Sequence, residues 1–287
     1  MAAKIISIVN NKGGVAKTTS TAFFGEILCL FGKKVLLVDT DESGNLSLLF
    51  NKFFSDDKSV MMGIEEPVHK NVSEVFKYRY RTAEEVSECI YTVRPNLDIL
   101  PASTRLRNIP DTLLLQSRTN NVNNNVIMKR ALNSIKDRYD YIFIDSAPRN
   151  DILIVNNLVA SDYILIPVRS DGFSLKGFKE VIAEIADLKD EYDIPAEFLG
   201  IYQTAAEPNT NIYKDLHAEY ETMLGKKNLP SIRKDVKVNE LLTVVNDSLI
   251  DYTSTSNVLY DYCMLLIATG ILDSTTEHLI KSAYGIE

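Results

Sequence analysis

The sequence predicts an α/β fold: a three-layer, doubly wound, mostly parallel sheet with helices on both faces. Three observations predict it. Short β-branched runs alternate with longer amphipathic stretches along the chain. The runs are apolar nearly throughout, as strands buried on both faces are. The first run opens into a Gly-containing loop that leads straight into a helical stretch.

The elements follow in order. Lys4–Val9 (KIISIV) reads as a strand, Asn10–Gly14 as a loop, and Thr18–Phe31 as a helix stopped by Gly32. Val35–Val38 is a second strand, completing one right-handed crossover unit. Strands are predicted at Leu97–Leu100, Tyr141–Ile144, Tyr163–Val168 and Phe198–Tyr202. Helices are predicted at Val122–Lys136, Ile152–Val159, Leu175–Leu188, Ile212–Leu224, Asn257–Thr269 and Thr275–Ala283. Phe53–Arg94 is polar and mixed and reads as an insertion of short helices and a hairpin. Asn120–Asn125 reads as a loop or helix lead-in. No repeat or Pro/Gly-rich linker divides the 287 residues, so one domain over 1–287 is expected.

Bulk properties narrow the function. The net charge is −8, which argues against a surface that is basic everywhere and leaves room for one local basic patch. Cys29, Cys89 and Cys263 are scattered and odd in number, the pattern of buried small hydrophobes in a reducing compartment. No apolar run approaches the roughly 20 residues of a membrane span, and Met1–Lys4 shows no leader pattern. A cytoplasmic protein is expected.

The chemistry begins at Asn11-Lys12-Gly13-Gly14-Val15-Ala16-Lys17-Thr18-Thr19, set between strand and helix. Backbone N–H groups in such a loop turn inward around phosphate, and the helix N-terminus adds a favourable dipole. Lys17 supplies positive charge to the β/γ-phosphates, and the Thr18 hydroxyl is placed to coordinate Mg²⁺. The commoner GxxxxGK[ST] pattern has Gly where this chain has Ala16. At positive φ, alanine there costs about 1 kcal/mol relative to glycine.

Two acidic segments should face that loop. Val35–Val38 ends in Asp39-Thr40-Asp41, and carboxylates at the C-terminal end of a parallel strand lie on the ligand side of the sheet. Tyr141–Ile144 ends in Asp145, four apolar residues followed by an acid that holds Mg²⁺ directly or through water.

The loop KGGVAKTT resembles the deviant Walker A box of the ParA/MinD/Soj ATPases. Asp39–Ser47 is similar to that family's DxDPQGNxT segment, with Glu42-Ser43 for Pro-Gln. Tyr139–Pro148 resembles its YDYIxIDxPP box, and Pro101-Ala102, Ser161–Val168, Thr210–Ile212 and Ile232–Leu241 resemble later family segments. The resemblance implies a P-loop ATPase that binds ATP, ADP and Mg²⁺. It implies that Lys12 reaches across a nucleotide-sandwich homodimer to the partner's phosphates. Asp41 positions the attacking water, Asp39 supports the Mg²⁺ site, and Ser146–Asp151 senses the γ-phosphate. By the same resemblance the dimer binds nonspecific double-stranded DNA, and a ParB-like centromere-binding partner stimulates a hydrolysis that is slow without it. Localisation on the nucleoid follows.

For the DNA face, Lys226, Lys227, Arg233, Lys234 and Lys237 form the densest basic stretch, suited to salt-sensitive phosphate contacts. Tyr78-Arg79-Tyr80-Arg81 interleaves aromatics and arginines, which suits nucleic acid, a partner surface or a packed hairpin. Other classes fit less well. A MinD-like membrane positioner, or another cargo-positioning ATPase on a membrane or protein surface, is the alternative. The tail Thr275–Glu287 carries one lysine and two glutamates, poor material for a basic lipid-binding helix. An iron–sulfur reductase needs a cysteine pair that Cys89 and Cys263 do not supply. No helix-turn-helix segment is expected ahead of the first strand.

Overall fold

The computed structural model describes residues 2–52, 69–120, 123–170, 174–240, 249–250 and 256–283. Strand β1 (Lys4–Ile8), helix α1 (Lys17–Leu30) and strand β2 (Val35–Asp39) open the chain. Then come helices α2 (Asn45–Leu49), α3 (Val72–Tyr78) and α4 (Ala83–Ser87), and strands β3 (Tyr91–Arg94) and β4 (Leu97–Leu100). The middle comprises α5 (Ile109–Asn120), α6 (Ile127–Ile135), β5 (Tyr141–Asp145), α7 (Ile152–Ala160), β6 (Tyr163–Arg169), α8 (Ser174–Tyr192) and β7 (Glu197–Thr204). Helix α9 (Asn211–Leu224), strand β8 (Asn228–Leu229) and helices α10 (Val236–Glu240), α11 (Asn257–Ala268) and α12 (Glu277–Ala283) follow.

The strands form one sheet in the order β3-β4-β2-β5-β1-β6-β7-β8. Every neighbouring pair is parallel except β3 and β4, so the mostly parallel sheet expected from the sequence is the one observed. Side chains alternate between its faces. Ile6, Ile8, Leu37, Phe143 and Leu165 pack with Phe23, Phe24, Tyr262 and Leu265 on one face. Ile5, Leu36, Val38, Ile142 and Ile144 pack with Val72, Phe76, Met128 and Leu132 on the other. Ile164 and Ile166 extend that second layer toward Phe178 and Tyr220.

Helix α1 is set tightly against the sheet. Phe24 is fully buried and its ring meets those of Phe143, Tyr202 and Tyr262 at centroid separations of 5.5, 6.3 and 5.6 Å. Gly25 permits the close approach, because a Cβ there would lie 2.9 Å from Leu37 Cδ2. The Ser20 hydroxyl is 3.0 Å from the Tyr262 hydroxyl, tying α1 to α11.

Three local expectations change. Helix α6 begins at Ile127 rather than Val122. The Asn125 N–H is taken by the Asn123 side chain, and Asn124 Nδ2 donates to Leu113 O at 2.6 Å, so the asparagines compete with helical hydrogen bonding. Helix α5 was not expected, although Pro110 and Asp111 in its first turn are a start signal. The 53–94 stretch lies partly outside the described residues, at 53–68. The rest is no appendage: α3 and α4 each carry a capping box, and Val72, Val75, Phe76, Val86 and Cys89 are core residues. Its last strand, β3, pairs antiparallel with β4, which lies beyond the stretch.

Candidate functional site

The sheet register brings the three sequence-predicted segments together. Ile8, the last residue of β1, lies opposite Asp145, and Asp145 lies opposite Asp39. The loop leaving β1 therefore emerges beside both carboxylates, at the C-terminal edge of the strands.

Asn10 anchors the loop: its Nδ2 donates to Pro167 O at 2.7 Å, and its Oδ1 accepts from the Lys12 N–H at 2.9 Å. Asn11 Nδ2 donates to Glu184 Oε2 at 2.5 Å. Gly14 has φ +70°, and a Cβ on Gly13 or Gly14 would meet nothing within 4 Å, so backbone amides there are open to a ligand. Val15 is buried and accepts from the Thr204 hydroxyl at 3.3 Å through its carbonyl. Ala16 stands at φ 65°, ψ 30°, immediately ahead of helix α1. This is the left-handed conformation for which alanine is penalised. Ala16→Gly is expected to raise stability by about 1 kcal/mol, read as a higher urea midpoint with an unchanged m value.

Lys17 is 6% exposed and its Nζ donates to Lys12 O at 2.9 Å, closing the loop on itself. Burial lowers its pKa, while Asp145 and Asp41 oppose that shift. Lys12 is exposed, and its ammonium joins no ion pair among the described residues. Thr18 is half-buried, and Thr19 faces a cavity of about 330 Å³ shared with Gly14, Ala16, Arg169, Arg233 and Tyr262. That volume suits a small ligand.

The carboxylates differ in what they do. Asp39, fully buried, accepts from Asp41 N at 3.1 Å, Ser47 N at 2.9 Å and Ser47 Oγ at 2.6 Å. Both of its oxygens are thereby spent on folding the Asp41–Ser47 loop. Burial still pushes its pKa up to about 6 against those hydrogen bonds. Asp145 is 1% exposed, and neither oxygen has a partner in hydrogen-bonding geometry. Its pKa lies well above the usual carboxylate range, first from burial and then from Asp39; the neighbouring Thr18 hydroxyl and Lys17 only oppose the shift. An unpartnered buried carboxylate beside a hydroxyl and a strand-end aspartate fits a hard divalent cation with oxygen ligands. Asp41 is half-buried at the rim, its Oδ1 accepting from Ser43 N at 2.9 Å.

Several contributing residues escaped the sequence reading. Thr40 Oγ1 donates to Asp145 O at 2.7 Å and accepts from Asn157 Nδ2 at 2.7 Å, and Asn157 also reaches Ser146 Oγ at 3.3 Å. The available signal was a polar Asn156-Asn157 pair in the otherwise apolar α7. Glu42 forms an ion pair with Arg149, which also lies 3.7 Å from Asp151. This bridge joins the loop after β2 to the loop after β5. Arg149→Ala should free both loops by about 1 kcal/mol, seen as roughly five-fold faster amide exchange over residues 41–47.

The five basic residues expected to face DNA differ in their partners. Arg233 is clamped to Asp261, with Nη2 to Oδ1 at 2.6 Å and Nε to Oδ2 at 2.9 Å, and it lines the cavity beside the loop. Lys234 pairs with Glu207 at 2.6 Å, and Lys227 Nζ donates to Phe198 O at 2.6 Å. Lys226 sits in the turn after α9 and Lys237 on α10.

A phosphate-accepting loop between β1 and α1, with two strand-end aspartates opposite, defines a P-loop nucleotide hydrolase. Residues 3–197 match the family model of the AAA domain, AAA_31. The chain is 31% identical over 209 residues to the sporulation initiation inhibitor protein Soj of Bacillus subtilis (strain 168), covering 73% of this chain and 75% of that one. It is 29% identical over 238 residues to the chromosome-partitioning ATPase Soj of Treponema pallidum (strain Nichols), covering 83% and 85%. Among solved structures, apo McdA of Cyanothece superposes with a TM-score of 0.76 at 18% identity, covering 92% of this chain and 98% of that one. The chain belongs to the AAA_31 family and, within it, to the ParA/MinD/Soj-type ATPases. No helix among the described residues is long and apolar enough to cross a membrane.

Proposed function

We propose that the protein is a Mg²⁺-dependent partition ATPase, in which ATP closes a homodimer that binds nonspecific double-stranded DNA and a ParB-like partner triggers hydrolysis and release. The observation that carries this reading is the loop Asn11–Thr19. It holds one lysine, Lys17, buried against its own phosphate cradle, and a second, Lys12, exposed at the mouth and in no ion pair among the described residues. One lysine suffices for the chain's own nucleotide; the other is available to a nucleotide held by a second copy.

In this reading the loop amides and Lys17 hold the β- and γ-phosphates. Thr18 and Asp145 would hold Mg²⁺, with Asp39 in support, and such an ion would supply charge neutralisation at the phosphate oxygens. Asp39 acts mainly by folding the loop that presents Asp41, and Asp41 orients the attacking water. The Glu42–Arg149 bridge lets the loops after β2 and β5 answer together when the phosphate leaves. Lys226, Lys227, Lys234 and Lys237 contribute DNA-phosphate contacts on the closed dimer. The chain works as one unit over residues 1–287, in the cytoplasm on the nucleoid.

The test is sedimentation velocity with Mg²⁺ and a non-hydrolysable ATP analogue, ADP, or no nucleotide. A dimer with the analogue alone supports the reading. A monomer in all three conditions, from a protein that binds the analogue, contradicts it.

A further inference from the structure

The Tyr78-Arg79-Tyr80-Arg81 run plays no part in the nucleotide site, yet it walls a second cavity of about 380 Å³. Tyr78, Arg79, Arg81, Glu85, Ile127 and Arg130 line it, none of them shared with the cavity beside the P-loop. Three arginines thus line one space with a single carboxylate. One oxygen of that carboxylate serves the fold: Glu85 Oε2 accepts from Arg81 N and Thr82 N, each at 3.1 Å, in the capping box of α4, and its charge offsets only part of the three arginines'. Arg81 and Arg130 are exposed and form no ion pair with a described residue.

Arg79 is aimed rather than neutralised. Its Nη2 donates to Gln116 Oε1 at 2.9 Å and to Asn124 Oδ1 at 2.6 Å, both uncharged acceptors. Asn124 is 2% exposed and is itself fixed, its Nδ2 donating to Leu113 O at 2.6 Å and Ser117 Oγ at 2.8 Å. Arg79 also takes φ 56° at the C-terminal end of α3, a left-handed conformation that costs a residue bearing a β-carbon. The left-handed turn closes the helix, its N–H donating to Val75 O, and so fixes where the Arg79 side chain leaves the backbone. On a chain of net charge −8 this is a local concentration of positive charge.

We infer that this cavity binds a phosphate monoester carried by a small molecule. A monoester carries nearly two negative charges and three strong acceptor oxygens, matching three guanidinium forks. A carboxylate has two oxygens and one charge, which one arginine satisfies. A duplex backbone offers singly charged diesters, a weaker match to three clustered arginines than one nearly doubly charged group. The volume lies in the range of small-ligand sites, about 300–1,000 Å³. Tyr78, 55% exposed and stacked on Tyr80 at a centroid separation of 5.8 Å, offers a hydroxyl and ring edge to the rest of the ligand.

The test is calorimetric titration of the full chain with ribose 5-phosphate and with inorganic phosphate. Lys17→Ala removes the competing P-loop, and Arg79→Gln and Arg130→Gln probe the cavity. Sugar-phosphate binding should persist in Lys17→Ala and weaken at least tenfold in Arg79→Gln and in Arg130→Gln. Arg130→Gln, at an exposed helix position, should leave ATP hydrolysis unchanged, so its loss of binding is not a folding defect. Binding that vanishes in Lys17→Ala and is untouched in Arg130→Gln overturns the proposal. So does binding of a polyglutamate peptide, or of a 5′-phosphorylated oligonucleotide, by a protein that ignores the sugar phosphate.

Discussion

Asp145→Asn should lower Mg²⁺-dependent ATP hydrolysis at least 100-fold and, in the metal-free protein at pH 8, raise folding stability by about 1–3 kcal/mol. Both effects have one cause. The Asp145 carboxylate is buried, with the Thr18 hydroxyl beside it and no donor in hydrogen-bonding geometry on either oxygen, an arrangement that is costly when empty and useful when a cation is present. The pH dependence follows with a definite sign. Asp39 and Asp145 are both held above the unfolded value of about 3.9, Asp39 at about 6. The folded state therefore binds more protons than the unfolded chain above that value. Stability from these two groups is present at low pH and is lost as pH rises through their folded pKa values. In EDTA, the wild type should lose stability as pH rises from about 4 through the folded pKa values of the two groups, about 6 for Asp39, and Asp145→Asn should lose less. Equal slopes in urea titrations of the two proteins would show that Asp145 is not the strained group.

Lys17→Met should weaken ATP binding at least 100-fold while leaving the sheet intact. Its ammonium is buried, with lowered pKa, against Asp145 and Asp41, and is held at the loop by Lys12 O at 2.9 Å. A phosphate entering the cradle gains a charge already stripped of water, which is why the interaction is strong there. Methionine keeps the length and apolar stem without the charge. The same change deprives Asp145 of a favourable neighbour, so Lys17→Met alone should raise the Asp145 pKa further. The double variant with Asp145→Asn should be more stable than the sum of the single effects, a coupling measurable by a double-mutant cycle. Fluorescent-nucleotide titration reads the first effect; retained binding within about threefold would remove Lys17 from the phosphate site.

The strands and the phosphate loop were legible because their signals are local. KIISIV, VLLV and YIFI are apolar runs that only a doubly covered sheet accommodates, and the loop residues sit between a strand and a helix. That the acids stand at strand ends was readable as well, whereas Asp39 lying opposite Asp145 follows from β2 and β5 being neighbours, which no local signal gives. What the sequence hid is tertiary. Nothing local says that Asp39 spends both oxygens on Ser47 and Asp41 while Asp145 spends none. The Glu42–Arg149 bridge spans two loops far apart in the chain, and the Arg233–Asp261 clamp turns a residue of a basic run toward a cavity. Charge density along the chain reports neither pairing nor direction. In the 53–94 stretch polar composition masked a core contribution, since Val72, Val75 and Phe76 lie on one face of a short, heavily capped helix.

The central claim is a nucleotide-gated dimer on DNA, and it is tested most directly by fluorescence anisotropy with an arbitrary DNA duplex. The wild type and Lys12→Ala would be titrated with Mg²⁺–ATP, with ADP and without nucleotide, at two salt concentrations. The expected result is salt-sensitive binding that requires ATP and is lost in Lys12→Ala, although that variant still binds ATP through Lys17. Equal binding in all nucleotide states, or full binding by Lys12→Ala, would contradict the claim by separating DNA from the nucleotide cycle.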